Sequence, residues 1–427
     1  RRPLATLCLG LSCCLLIMLP LPLELVCILP LIRAIIASVI VRGQDAHWRH
    51  AMRNNSDHAM FADATHDEQS AQSFIKTLRV FSSRSFHSGN NALLKEKVLP
   101  NYPDGECPPR REMRTALEDE PHNKWWSSMM RTTQEMLYDT VGPSIERQLP
   151  DLIERAKSMR GKSGSLTLDE SVEVPPYLSA VDMHCKPGSY QQEMIEDDVF
   201  AGAEFDRTFR LYSMGGLGPN LDDMGFTLVA WMRKHFEDAG ASNNGPQRIL
   251  DMGCTVGHST LPYCDLFPDA EIHAIDVAAT CLRYGHARAV AMDKEVHFSQ
   301  QDAEHTNFED GSFDLVVSHA IMHETSRRAI RAIFKECHRL LAPGGLMIHM
   351  DGITPDKPFD KYYSDWMSIN NNEPYLGTVQ DEDFVGICEQ AGFDTDKVQL
   401  GEGEPQFQGK PTDDKPVYGY LVVCAEK

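Results

Sequence analysis

The sequence predicts an α/β fold, in which a mostly parallel sheet has helices on both faces and is preceded by a helical N-terminal region. From position 245 to the last residue, short β-rich runs alternate with helical stretches, and such alternation requires crossover connections between parallel strands. From position 111 to 240, apolar residues recur at steps of three and four, which is the spacing of an amphipathic helix.

A sheet of seven strands is expected, with all seven in the C-terminal part of the chain. Their ranges are 248–252, 271–277, 296–299, 313–318, 345–350, a short strand near 398, and 417–425. The helix expected over 326–341 carries an apolar stripe that would face the sheet. The densest basic cluster of the chain lies on its other positions. We interpret this cluster as a solvated helix face, with a nucleic-acid contact as the alternative.

Charge and cysteine content narrow the class of protein. Of the 427 residues, 62 are Asp or Glu and 41 are Lys or Arg, so the net charge is −21. A protein that binds a phosphate backbone needs a basic face, so no nucleic-acid partner is expected.

The 12 cysteines include no CxxC pair, and several lie in apolar runs, where a reduced thiol packs as a small hydrophobe. A reducing, cytoplasmic location is therefore expected.

The first 42 residues differ from the rest of the chain. Between positions 3 and 41 the only charged residues are Glu24 and Arg33. This tract predicts a membrane anchor or an export signal, or else translated upstream sequence, because the chain begins with Arg rather than Met. If it is an anchor, the protein is membrane-associated through residues 3–41.

The remaining chain is expected to divide into three parts. Residues 43–110 are polar and are expected to have little order, apart from a helical pattern that begins near Ser70. Residues 111–240 form the helical region, which contains a Gly- and Ser-bearing linker at 161–171. Residues 245–427 form the α/β domain.

The segment Arg248-Ile-Leu-Asp-Met-Gly-Cys-Thr-Val-Gly257 carries the most information about chemistry. An apolar strand ends in Asp251, and Gly253 and Gly257 follow it, where the backbone can turn tightly and approach a ligand. The next helix offers free N–H groups and a positive dipole end, which suit a carboxylate or a phosphate. Thr255 replaces the second glycine of the dinucleotide pattern GxGxxG. Asp251 would repel a pyrophosphate but attract an ammonium group.

Four blocks occur in the order typical of class I S-adenosylmethionine-dependent methyltransferases, which the chain resembles over 245–427. The blocks are Asp251 to Gly257, Ala274-Ile-Asp276, Gln301-Asp302-Ala303 with the following 310–317, and Leu341-Ala-Pro-Gly-Gly345. The chain looks most similar to the ubiquinone/menaquinone C-methyltransferase-like group. The resemblance implies a Rossmann-like sheet, methyltransferase activity and S-adenosyl-L-methionine as cofactor. Thr255 departs from the family's central glycine, and its Cβ narrows the space beside the methionine moiety.

The residues that the resemblance assigns to the cofactor follow the strand ends. They are Asp251, Gly253, Cys254, Gly257, Asp276, Val277, Asp302, Ala303 and Ser318. Asp276 suits the ribose because a carboxylate can accept from two vicinal hydroxyls at once, and Asp302 stands where the family contacts the adenine. The alternative for both acids is a strand-end carboxylate that caps the next helix.

Candidates for catalysis lie after the fourth expected strand, where His319, His323 and Glu324 stand close together. Methyl transfer needs in-line approach in a dry site, and a base helps when the nucleophile starts protonated. His323 and Glu324 match an LHE-like triplet that is frequent here in the family, although a structural role for His323 stays open. His319 and His323 are four residues apart, as in a metal-binding helix turn, but no third ligand stands at fixed spacing, so no metal site is expected. His349 and Asp351 end the fifth strand.

Aromatic residues outside the sheet are candidates for the acceptor pocket. The segment 204–218 is expected to form a lid, and Tyr190 and Tyr212 are candidate substrate contacts, with packing as their alternative role. An aromatic insert at 359–375 could wall the pocket. We expect a small-molecule methyl acceptor whose accepting atom, C, O or N, is left open. The alternatives are a protein or RNA methyltransferase and a non-catalytic S-adenosylmethionine-binding protein.

Overall fold

The computed structural model describes residues 58–103, 106–213, 215–236, 245–352, 357–407 and 419–427. The expectations for residues 1–42, including the membrane contact, lie outside the described residues. Within the described ranges, no helix combines the length and the apolar character that crossing a membrane requires.

The described residues contain a sheet with the strand order β1-β4-β3-β2-β5-β6-β8-β7. The strands are β1 (Ser165–Thr167), β2 (Arg248–Met252), β3 (Glu271–Asp276), β4 (His297–Gln300), β5 (Phe313–His319), β6 (Leu341–Asp351), β7 (Val398–Gly403) and β8 (Tyr420–Glu426). The strands from β1 to β6 pair in parallel, and β8 runs antiparallel to both β6 and β7. The predicted α/β fold with a mostly parallel sheet is confirmed.

The prediction of seven strands is wrong, because the described sheet has eight. The additional strand is β1, which lies in the predicted linker 161–171 and pairs with β4 at the edge of the sheet. Gly164, at φ +59°, lets the chain approach the backbone of Val296, where an added Cβ would lie 2.1 Å from the carbonyl oxygen. Because β1 has three residues and no apolar run, its pairing comes from this close approach rather than from a sequence pattern.

Helices surround the sheet and precede it. They are α1 (His66–Lys97), α2 (Arg110–Leu117), α3 (Pro121–Glu146), α4 (Leu149–Met159), α5 (Pro176–Ser179), α6 (Phe200–Tyr212), α7 (Asp223–Phe236), α8 (Leu261–Leu266), α9 (Ala279–Ala291), α10 (Arg327–Leu340), α11 (Pro358–Asn370), α12 (Leu376–Val379) and α13 (Phe384–Ala391). The helical N-terminal region is thereby confirmed.

The low order expected for 43–110 does not hold for α1, a helix of 32 residues. Its start is fixed by a capping box, in which Thr65 and Glu68 satisfy each other's backbone N–H groups. Its apolar face is narrow, with Ile75 and Leu94 fully buried. A largely polar helix of this kind is stabilised by packing against its neighbours, and a composition-based prediction does not detect it.

Separate apolar clusters attach the helices. One packs α10 and α13 on the sheet through residues such as Ile333 and Phe384. Another joins α3, α4 and α6 to α9, where Gly202 of α6 lies so close to Tyr284 that an added Cβ would be 2.5 Å from the tyrosine Cβ. These contacts hold α6 against the domain and so fix one wall of the cavity described below.

Three arginines of the basic cluster on α10 form ion pairs. Arg331 pairs with Glu382 at 2.8 Å, and Arg327 contacts the same carboxylate. Arg339 pairs with Glu336 at 2.6 Å on the same helix. The apolar stripe predicted for this helix is buried, and the arginines lie beside it as a helix face neutralised by acids.

Candidate functional site

A cavity of about 440 Å³ lies where the carboxyl ends of β2, β3, β5 and β6 meet α5, α6 and α11. The strand order reverses between β2 and β5, and ligands of open α/β sheets bind outside the strand ends at such a switch point. The predicted residues that line it are Asp251, Gly253, Cys254, Asp276, Val277, Asp302, Ala303, His319, His323, Glu324, Tyr190 and Tyr212. The fold thus brings most of the predicted site residues to one place.

Gly257 and Ser318 do not line the cavity. Gly257 packs against Phe298, whose ring would lie 3.3 Å from an added Cβ. Ser318 is buried, and its Oγ lies 2.6 Å from Nδ1 of His349. Because successive side chains of a strand point to opposite faces, Ser318 faces away while the neighbouring His319 reaches the cavity.

The turn after β2 is pinned to β3 by its backbone. The N–H groups of Gly253 and Cys254 both donate to the carbonyl of Ile275, at 2.8 and 3.0 Å. Gly253 has φ +73°, and an added Cβ would lie 2.9 Å from the side chain of Ile321, so the position requires glycine. Thr255 also has a positive φ, of 50°. The turn therefore presents backbone to the cavity, with the β-branched Thr255 at the position of the second glycine of the GxGxxG pattern.

Asp276 ends β3 and is held by backbone donors. Its Oδ2 accepts from the N–H of Thr255 and its Oδ1 from the N–H of Ala278, both at 2.9 Å. Burial raises the pKa of Asp276, and the N–H donors act in the opposite direction. Each carboxylate oxygen has a second lone pair. The geometry is that of a fixed acceptor able to take two neighbouring hydroxyl groups.

Asp251 presents a buried oxygen to the cavity. Its Oδ2 accepts from Oγ1 of Thr260 at 2.6 Å, whereas its Oδ1 has no hydrogen-bond donor among the described residues. Nδ1 of His319 lies 3.4 Å from that oxygen. A buried carboxylate oxygen without a donor costs free energy unless a ligand satisfies it. An ammonium group at this place would do so.

Five titratable residues, named here the His–Glu cluster, lie together at the other end of the cavity; four of them line it, and Asp351 is fully buried against His323. They are His184, His323, Glu324, Asp351 and Glu373. Oε1 of Glu324 lies 2.7 Å from Nε2 of His184 and 3.6 Å from Nε2 of His323. Nδ1 of His184 lies 3.0 Å from Oε1 of Glu373. Nδ1 of His323 contacts Asp351, which also accepts from the backbone N–H of His323 at 3.1 Å.

The side chains of the His–Glu cluster shift one another's pKa values. Burial acts to lower the pKa of His184, but Glu373 and Glu324 outweigh it and raise this pKa to about 10. Burial likewise opposes charge on His323, and Asp351 together with Glu324 raises its pKa well above the usual value. The pKa of Glu324 falls far below its usual value, since the two imidazoles overcome the effect of burial.

Sequence reasoning missed two members of this cluster. His184 stands in the short helical turn Met183–Cys185 with φ 53°, and Gln134 of α3 donates to its carbonyl at 2.7 Å. Glu373 follows α11, in the region predicted only as an aromatic insert. A positive φ in a non-glycine residue suggests strain at a functional place, but no pattern in the sequence reveals it.

The two predicted tyrosines lie on the helical wall. The hydroxyl of Tyr190 is 3.4 Å from Oε1 of Glu324. Tyr212 stacks on Phe209, with ring centroids 5.6 Å apart, and the Arg79 guanidinium lies 5.0 Å from its ring centroid. Burial raises the pKa of both tyrosine hydroxyls. They are therefore uncharged hydrogen-bonding groups in an aromatic wall.

Behind this wall, Asp206 of α6 joins several elements in a buried network. Its Oδ2 lies 3.0 Å from Nε2 of His58 and accepts from the Tyr284 hydroxyl at 2.8 Å. Its Oδ1 lies 2.9 Å from Nε2 of His258, whose ring stacks on Phe205 at the cavity. Burial acts to raise the pKa of Asp206, but the hydrogen bonds of the two histidines bring it well below its usual value.

Removing this carboxylate should strongly destabilise the protein. We expect Asp206→Ala to lower the free energy of unfolding by about 3–5 kcal/mol, because it leaves buried donors without their acceptor. Urea unfolding followed by circular dichroism measures this change. The matched control is Asp139→Ala on an exposed face of α3, which should stay within about 0.5 kcal/mol of the unchanged protein. Equal stabilities of the two variants would contradict the network.

Acidification should weaken folding through His58 and His258. Burial lowers the pKa of both imidazoles, that of His258 to about 4. The unfolded chain therefore binds these protons first, so the free energy of unfolding falls as the pH drops from about 6.5 towards 4. We expect His258→Gln to lessen this slope by up to about 1.4 kcal/mol per pH unit, as measured by urea unfolding across that range. An unchanged slope would contradict a neutral, buried His258.

Comparison with known proteins identifies the domain that carries part of the site. The sequence pattern of a methyltransferase domain matches residues 249–345. The chain contains a class I S-adenosylmethionine-dependent methyltransferase domain. This domain holds the turn after β2, Asp276, and the strand ends that carry His319 and Asp302, and S-adenosyl-L-methionine is its cofactor.

Curated relatives and solved structures match parts of the chain. A demethylmenaquinone methyltransferase of Thermus thermophilus is 32% identical over 30% of this chain and 57% of its own length. A malonyl-[acyl-carrier protein] O-methyltransferase of Geobacter sulfurreducens is 35% identical over 38% of this chain and 63% of its own length. The phosphoethanolamine N-methyltransferase 2 of Haemonchus contortus, solved with S-adenosyl-L-methionine, is 17% identical at a TM-score of 0.34 and covers 52% of this chain and 60% of its own. The chain thus spans about 60% of the length of the two curated relatives.

Proposed function

We propose that the protein is an S-adenosylmethionine-dependent methyltransferase that acts on a small-molecule acceptor. One observation carries the proposal. A single cavity of about 440 Å³ has the Asp251 and Asp276 carboxylates at one end and the His–Glu cluster at the other. The first end suits the cofactor, and the second can bind and activate an acceptor.

The cofactor end fits S-adenosyl-L-methionine. Asp276 would accept from the ribose hydroxyls, and the unpartnered Oδ1 of Asp251 would accept from the ammonium group of the methionine moiety. Asp302 and Ala303, which line the cavity after β4, would contact the adenine. Cys254 and Val277 border the same space. When bound, the cofactor supplies an electrophilic methyl group on a sulfonium.

The acceptor end is shaped by the chain's own residues. His319 lies at the cofactor end, where its Nδ1 is 3.4 Å from Oδ1 of Asp251 and its Nε2 is 2.9 Å from the hydroxyl of the buried Tyr263. His323 and Glu324 face the acceptor, where they would orient its nucleophilic atom by hydrogen bonding. The wall of Tyr190 and Tyr212 excludes water, as positioning in a dry site requires.

The small size of the acceptor is inferred from the cavity. A volume of about 440 Å³ falls within the roughly 300–1,000 Å³ of small-molecule sites, and the cofactor takes part of it. The two curated relatives carry names that refer to different acceptors, demethylmenaquinone and malonyl-[acyl-carrier protein]. The accepting atom is therefore a question for experiment.

Release of S-adenosylhomocysteine tests this proposal. The full chain is incubated with methyl-labelled S-adenosylmethionine and fractions of a metabolite extract, and the labelled product is identified by mass spectrometry. We expect at least one fraction to stimulate release, and Asp276→Ala to abolish the stimulation. Binding of S-adenosylmethionine without release in any fraction would contradict catalysis and indicate a binding protein.

A further inference from the structure

We propose that the His–Glu cluster binds one divalent transition-metal ion, with His184, His323 and Glu373 as ligands. One imidazole nitrogen of each histidine and a carboxylate oxygen of Glu373 all lie within 4.8 Å of one another. The spacing of His319 and His323 offered no third ligand. The fold supplies the missing ligands from the turn Met183–Cys185 between β1 and β2 and from a loop after α11. This inference deepens the proposed function, but metal binding itself does not depend on methyl transfer.

The surroundings of His323 match those of a metal-binding histidine. Asp351 contacts Nδ1 of the imidazole and also accepts from the backbone N–H of the same residue at 3.1 Å. This arrangement fixes the ring and leaves Nε2 towards the cavity. Histidines that bind metals usually donate their other ring nitrogen to a carboxylate in this way.

Charge balance also favours a cation at this place. The side chains of Glu373 and Asp351 are 3% and 0% exposed, and that of Glu324 is 16% exposed. Buried carboxylates need compensating positive charge. A divalent ion carries a charge of +2, which equals the charge that the two imidazoles carry when both are protonated. The ion binds to the ring nitrogens that would otherwise hold those two protons.

Glu324 provides a further oxygen. Its Oε1 lies 2.7 Å from His184 and 3.6 Å from His323, and its buried Oε2 has no hydrogen-bond partner within the described part of the chain. An oxygen that is near both histidines and lacks a donor is suited to a metal ion. Glu324 is thus placed to complete the coordination from the cavity side.

The ligand set indicates which ions fit. Two imidazoles with one or two carboxylates suit Zn²⁺, Fe²⁺ or Co²⁺, whereas Mg²⁺ and Ca²⁺ prefer oxygen ligands alone. Because the site faces the cavity, an ion there would bind the acceptor through a lone pair of its nucleophilic atom. Such binding lowers the pKa of an attached O–H group, which would prepare an acceptor hydroxyl for methylation.

Metal retention tests the inference. The full chain is stripped with a chelator, loaded with Zn²⁺ or Co²⁺, freed of unbound ion, and analysed for metal content and for the visible absorption of Co²⁺. We expect one ion per chain, and a loss of affinity of about tenfold or more in His184→Ala and Glu373→Gln. The matched control is His66→Ala, whose side chain is 92% exposed on α1 and which should retain the ion fully.

A protein that retains no more ion than its two variants would overturn the inference, and the cluster would then be a hydrogen-bonded network without metal. Circular dichroism confirms that each variant is folded, and the result for the unchanged protein stands even if a variant is not. Titration of S-adenosylmethionine on the same samples separates the two proposals. If the protein retains metal but does not bind the cofactor, the methyltransferase proposal is refuted and the metal site stands. If it binds the cofactor but retains no metal, the metal site is refuted and the methyltransferase proposal stands.

Discussion

Replacing Asp276 by alanine is expected to weaken binding of S-adenosylmethionine by about ten- to a hundredfold, which corresponds to about 1.5–3 kcal/mol for hydrogen bonds to a charged acceptor. The carboxylate is fixed by the N–H groups of Thr255 and Ala278, so its free lone pairs are oriented before the ribose arrives. Isothermal titration calorimetry measures the change. Asp276→Asn, which keeps one carbonyl oxygen, should fall between the alanine variant and the unchanged protein.

The control for this prediction is Asp269→Ala, an exposed acid on the same domain. It changes the net charge equally and should leave the affinity unaltered. If Asp276→Ala binds the cofactor as tightly as Asp269→Ala, then Asp276 only holds the backbone turn and its assigned role is wrong. A melting curve of each variant shows whether a lost affinity reflects unfolding instead.

Replacing His323 by alanine is expected to lower kcat by about 100-fold, because the acceptor loses a group that orients it and a misplacement of about 1 Å costs about this much. The imidazole lies at the acceptor end, next to Glu324 and Asp351, and does not belong to the wall that holds the ribose. The affinity for S-adenosylmethionine should therefore stay close to that of the unchanged protein. Steady-state release of S-adenosylhomocysteine and calorimetry give the two quantities separately.

Two further variants refine the His323 prediction. Asp351→Asn should lower kcat less than His323→Ala, since the amide can still orient the ring but no longer balances its charge. His66→Ala, on the exposed start of α1, should not change kcat. A full kcat in His323→Ala, or a loss of cofactor affinity as large as that of Asp276→Ala, would contradict the assignment to the acceptor end.

That Asp251, Gly253 and Asp276 share one cavity could be predicted from the sequence because each follows or ends a strand. Asp251, Gly253 and Asp276 stand at the ends of short apolar strands, and the parallel sheet brings such ends together. The same reasoning failed at Ser318, since position within a strand does not by itself tell which face a side chain takes. It failed at Gly257 because that glycine serves packing against Phe298 rather than the cavity.

The His–Glu cluster could be predicted only in part. His323 and Glu324 were visible as neighbours in the chain, whereas His184 and Glu373 reach them through the packing of helices that share no motif with the domain. The strand β1 was missed for a related reason, because three residues paired through a glycine contact carry no apolar pattern. Contacts between distant segments depend on tertiary packing, which a single sequence does not display.

Calorimetric titration of the full chain with S-adenosylmethionine, and in parallel with NADH, tests the central claim most directly. The geometry of Asp251 and Asp276 predicts that one molecule of S-adenosylmethionine binds per chain and that NADH does not, because its pyrophosphate would meet the Asp251 carboxylate. Binding of NADH with no heat from S-adenosylmethionine would contradict the account.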